Sequence, residues 1–88
     1  MLHDNNDLGA SLFKSWGVEQ RREEIGKLVA GYRNGLPAGI LCKMAETIAG
    51  NRKLARKELA TLMSPEERRD AVKKESLVMQ GVIRKFLL

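Results

Sequence analysis

The chain is poor in the residues that carry chemistry. It has one cysteine, Cys42, and one histidine, His3. A lone cysteine excludes an internal disulfide, and a single imidazole beside it leaves no set of soft ligands for a structural zinc. His3 with Asp4 and Asp7 alone is a poor metal set. Nucleophilic catalysis at Cys42 would need a neighbouring base, and the only histidine sits in a polar opening segment. Cys42 therefore reads as a small buried apolar side chain. The carboxylates offer no better start. Glu23 and Glu24, like Glu66 and Glu67, are adjacent in sequence, so on a helix they point about 100° apart and do not share a site. Gly31, Gly35 and Gly39 are evenly spaced, but they do not join a strand to a helix, and the lysine and hydroxyl of a phosphate loop are missing. No catalytic residue, metal ligand, cofactor or small-molecule substrate is assigned.

Long apolar runs and strand patterns are also lacking. Nothing approaches the ~18 consecutive apolar residues that would span a bilayer, so no membrane insertion is expected. Residues 1–6 lack the charged start and apolar middle of a secretory leader, which places the protein in the cytoplasm. Apolar residues alternate with polar ones nowhere, so the expected fold is all-α. With only 88 residues to build one core, stability is modest and a partner subunit would help, which makes a homodimer one of the partner options.

What is present is helical periodicity. Residues 1–6 form a flexible tail and 7–88 a single helical domain. Asp7 offers an N-cap, after which Leu8, Leu12, Phe13 and Trp16 share one side of a short helix closed by Gly17. Trp16 is a core or lid residue, or alternatively a stacking platform. From Val18 a second helix places Ile25, Leu28, Val29 and Tyr32 on one face, with Gly26 and Gly31 as candidate crossing points. Residues 34–39 are a turn with a C-cap at Gly35 and Pro37 opening the next helix. That helix, 40–49, is apolar around most of its circumference. Only Lys43, Glu46 and Thr47 make a polar strip, so Ile40, Leu41, Met44 and Ile48 are expected inside, as the buried centre of the molecule. Gly50-Asn51 breaks the chain. A further helix follows to Met63, and Ser64-Pro65-Glu66-Glu67 carries a capping box that starts a long C-terminal helix from Pro65 to about Phe86. The expected architecture is thus a compact bundle of four to five helices around a buried central helix, closed by a long one.

Two surfaces then stand as functional candidates. The 16 Lys and Arg exceed the 11 Asp and Glu, a net charge of +5 that favours acidic partners. Arg52, Lys53, Arg56 and Lys57 make a basic arc, joined by Arg68, Arg69, Lys73 and Lys74, which suits phosphates or an acidic protein face. A solvated face neutralised by Glu58, Glu66, Glu67 and Glu75 at helical spacing is the plainer alternative. A helix-turn-helix about Gly50 fits poorly, because it would require Asn51 and Arg56 where apolar residues should pack. The second surface is apolar: Val78, Met79, Val82, Ile83, Phe86 and Leu87 form a stripe suited to helix docking or a dimer seam, unless it is the inner face of the domain. Together these predict a non-enzymatic regulator or adaptor that binds another protein, the alternative being nucleic-acid binding through the basic face around Arg52 to Lys57.

Overall fold

Local punctuation sets where each helix begins and ends. A computed structural model describes residues 16–88. The expected tail and the helix carrying Leu8, Leu12 and Phe13 lie outside the described residues. Five helices follow one another: α1 (Val18–Arg33), α2 (Ala38–Ala49), α3 (Arg52–Leu62), α4 (Pro65–Lys73) and α5 (Leu77–Leu87), with no strand among the described residues. None of these helices is long and apolar enough to cross a membrane.

The end of α1 is a Schellman turn. The Gly35 amide donates to the Tyr32 carbonyl at 3.0 Å and the Leu36 amide to the Gly31 carbonyl at 2.9 Å, with Gly35 at φ 119°, where a side chain would be strained. Pro37 then precedes the first turn of α2. The break at Gly50-Asn51 is present: Gly50 adopts the left-handed conformation, φ 98°, and the Asn51 side chain accepts from the Leu54 amide at 2.8 Å to cap α3. Ser64 caps α4 in the same way, accepting from the Glu67 amide at 3.1 Å, with Pro65 in the first turn. The reciprocal half of the capping box is not used. The Glu67 carboxylate instead takes both Nε and Nη2 of Arg33 at 2.8 Å, tying α4 to the end of α1.

The single long C-terminal helix is not what forms. Residues 65–87 divide into α4 and α5 at Lys74 to Ser76, because the Ser76 hydroxyl accepts from the Met79 amide at 3.3 Å and starts a new helix. A straight helix over those 23 residues would reach about 35 Å. Broken, it folds back so that α4 packs on α5. Glu75 sits in the joint, half-buried.

The core forms where these helices converge. α2 touches α1, α3 and α5, and its inner arc is made of small or medium side chains, among them Ala38, Leu41, Cys42 and Ala45, all buried. Ile25 and Val29 of α1, Leu59 of α3, and Ile83 and Leu87 of α5 close on that arc, and Trp16 and Tyr32 pack at its margin. Burying each large aliphatic side chain contributes on the order of 1.5–3 kcal/mol. Two expectations fail here. Ile40 and Met44, taken for core, are 46% and 45% exposed. The small inner face lets three neighbours come close, and they cover only part of the circumference. Nor do helices cross at Gly26 or Gly31: a Cβ at Gly26 would meet nothing within 4 Å, and one at Gly31 would meet only Leu36 of the adjoining turn, at 3.8 Å. The close approach is at Gly39, where a Cβ would lie 2.8 Å from Cε of Met79. α5 meets α2 there.

Candidate functional site

The apolar stripe of α5 divides between two tasks. Ile83, Phe86 and Leu87 are buried in the domain's own core, and of the three Phe86 also lines a surface hollow. Val78 and Val82 are turned about a quarter to a third of a helical circle from the centre of that set and stand 79% and 40% exposed, while Met79, on the same arc as Phe86 and Ile83, is half-buried. Leu77, not singled out from the sequence, is the most exposed large apolar residue among the described ones, at 85%.

Val82 and Met79 meet the unexpected outer residues of α2. Pro37, Gly39, Ile40 and Met44 on one side and Met79 and Val82 on the other line a shallow hollow of about 450 Å³, with Lys43 and Glu75 at its rim. The absence of a side chain at Gly39 is what lets Met79 lie against α2 and form its floor. A second hollow of about 320 Å³ continues from it, sharing Lys43 and Val82 and adding Val78, Arg52 and Lys85 around Glu46. Glu46 lies 3.6 Å from the Lys43 ammonium. The two hollows form one trough between α2 and α5, apolar at the Met79 end and cationic at the Arg52 end.

A third hollow, of about 610 Å³, opens on the other side of Pro37 and is mixed in character, with Leu36 and Ala38 beside Tyr32, Arg33, Glu67 and Asp70. Partial burial, followed by the charges of Glu67, Glu75 and Asp70, pushes the Tyr32 phenol upward, so it stays protonated at neutral pH. The hydrogen bond from Arg33 holds the Glu67 carboxyl below its usual range, against a smaller opposing effect of burial. That pair joins α1 to α4. Among the described residues, no three His, Cys, Asp or Glu side chains gather closely enough to hold a metal ion.

The basic arc is thinner than its sequence suggests. Arg56 donates to the carbonyl oxygen of Leu88, and Arg68 donates through Nη1 to the Leu87 carbonyl at 3.0 Å and through Nε to the Met63 carbonyl at 3.3 Å. Both arginines therefore satisfy carbonyls at the end of α5. Arg52, Lys53, Lys57, Arg69 and Lys73 are exposed, and no carboxylate of the described residues pairs with them within 4 Å. Two of the four glutamates expected to neutralise this arc look elsewhere: Glu58 pairs with Arg22 at 2.8 Å and Glu67 with Arg33. Asn51 and Arg56 are both exposed, as the poor helix-turn-helix match requires.

Cys42 is fully buried, and burial pushes its thiol up to about 12. It packs as a hydrophobe. The sequence pointed to Met79, Val78 and Val82, but it missed Ile40, Met44, Lys43 and Lys85 as parts of the same face. The available signal was the run of small side chains on one arc of α2, which leaves its large residues for the opposite side.

Fold and surface together define a small all-α bundle bearing an uncovered apolar trough and a lysine- and arginine-rich flank. Compared with protein-family models, curated proteins and solved structures, the chain matches none.

Proposed function

We propose that this protein is a non-enzymatic regulator or adaptor of the cytoplasm that works by holding another protein against the α2–α5 trough. The observation that carries the reading is that two neighbouring helices leave Ile40, Met44 and Val82 exposed on one side, around a hollow with an apolar floor. Apolar surface gathered into one patch favours cover by a partner, whereas scattered exposed residues need none. Two methionines among its walls suit a surface that adapts to an incoming side chain. The test compares capture of partner proteins from the source cell by the native chain, by Val82→Glu and by Lys53→Glu/Lys57→Glu, with helicity checked by circular dichroism. The expected result is that Val82→Glu loses partners that the lysine variant keeps. Equal capture by all three retires the trough as the binding face.

The second reading, nucleic-acid binding, draws on Arg52, Lys53, Lys57, Arg69 and Lys73, five exposed cations of α3 and α4 that no carboxylate of the described residues pairs with. Five phosphate contacts would give a slope of about −4.5 in log affinity against log salt on duplex DNA. Affinity for DNA or RNA that is absent at low salt would end this reading.

A further inference from the structure

We infer that the trough takes an amphipathic helix from a different protein, with apolar side chains at i, i+3 or i+4, and i+7 and with carboxylates at one end. This deepens the protein-binding reading and rests on it. The shape comes first. On α5 the trough is lined by residues from Val78 to Phe86, a rise of about 12 Å, so two turns of a docked helix cover it. Its walls are side chains of two helices, with no strand edge to extend, which leaves helix-in-groove packing as the mode that fits. The Met79 end receives the apolar anchors, above the backbone that Gly39 leaves bare.

The charge decides what kind of helix. Lys43, Arg52 and Lys85 surround the second hollow against a single carboxylate, Glu46, which already lies beside Lys43. An occupant with carboxylates there gains ion pairs at the rim of a face it partly desolvates, and a lysine-rich occupant meets repulsion. Glu75 marks the opposite end. The trough therefore has a direction, with the acidic end of the ligand toward Arg52. A second copy of this chain fits less well, since each face carries three cations and two carboxylates, Glu46 already lies beside Lys43, and a reversed copy could bring only Glu75 to the cationic end, on molecules of net charge +5.

The test is selection from a displayed library of helical peptides on the immobilised full-length protein. Leucine is fixed at three anchor positions and the flanking positions are randomised. The expected result is enrichment of Asp and Glu at one end of the peptide, with affinity at least tenfold above that of the lysine-substituted counterpart. Arg52→Glu/Lys85→Glu should reverse that preference, and Val82→Glu should lose both peptides. Enrichment of neutral or basic flanks, or unchanged affinity in Arg52→Glu/Lys85→Glu, overturns the acidic occupant while leaving protein binding at the trough intact. Peptides that bind Val82→Glu as well as the native chain defeat the trough itself. Absence of any enrichment, with a dimer in light scattering that Val82→Glu dissociates, or with methyl contacts between Met44 and Leu12 or Phe13 by NMR, assigns the trough to a second copy or to the chain's own first residues and also overturns the proposal.

Discussion

At the scale of single residues, the contrast between Cys42 and Gly39 is instructive. A thiol pushed up to about 12 has almost no thiolate at pH 8, so the native protein should resist alkylation and react only once unfolded. Timed labelling with iodoacetamide, with and without denaturant, checks this; rapid labelling of the native chain would contradict the packing described. Gly39→Ala should change stability by less than about 1 kcal/mol, because the gain in helix propensity offsets a clash with the movable end of Met79. It should nevertheless weaken trough binding, since Met79 has to leave the floor. Glu67 gives a pH prediction. Its folded pKa lies below the ordinary 4.5, so the stability it contributes is present above pH 4.5 and disappears as pH falls through the lowered value. Denaturation curves for Glu67→Gln should lose that part of the acid dependence and match the native chain more closely at pH 3 than at pH 7.

For whole elements, the caps decide. Ser76→Ala should cost about 1 kcal/mol in urea denaturation, as Ser64→Ala should, because each removes a side-chain acceptor from a helix start. Gly50→Ala should cost about 1–2 kcal/mol, since an L-residue at φ 98° is strained. A Ser76→Ala variant as stable as the native chain would mean that the α4–α5 joint does not depend on its cap. These same features explain what was legible beforehand. The turn at Asn34-Gly35, the break at Gly50-Asn51 and the start at Ser64-Pro65 are signals contained within a few residues, and each was readable. The joint at Ser76 was not, because Ala71, Val72, Met79, Ile83 and Phe86 keep helical phase across it. Periodicity alone cannot separate one straight rod from two that fold back. The burial of Ile40 and Met44 failed for a related reason: how many neighbours surround α2 is a tertiary fact, and an all-round apolar helix looks the same with three as with four. Which half of the α5 stripe turns inward was hidden on the same ground, since Ile83, Phe86 and Leu87 differ from Val78 and Val82 only in which side α2 and α3 occupy.

For the molecule as a whole, charge is divided between structure and surface. Arg22, Arg33, Arg56 and Arg68 are engaged between helices or at helix ends, so their removal should lower stability more than any binding. Lys53, Lys57, Arg69 and Lys73 stand outside that network. Replacing Arg56 and Arg68 together with alanine should lower the thermal midpoint and speed amide exchange in α5, whereas replacing the four free cations should leave the midpoint nearly unchanged. Calorimetry with hydrogen exchange distinguishes the two sets. A neutral result for the arginine pair would show that α5 is held by its apolar face alone.

The grip of Arg56 and Arg68 on the carbonyls of Leu88 and Leu87 also links separate faces of the molecule. These two arginines come from α3 and α4, and the helix they secure is one wall of the trough. Whatever draws either guanidinium away therefore loosens that wall, so an event elsewhere on the bundle is felt where a visitor would sit.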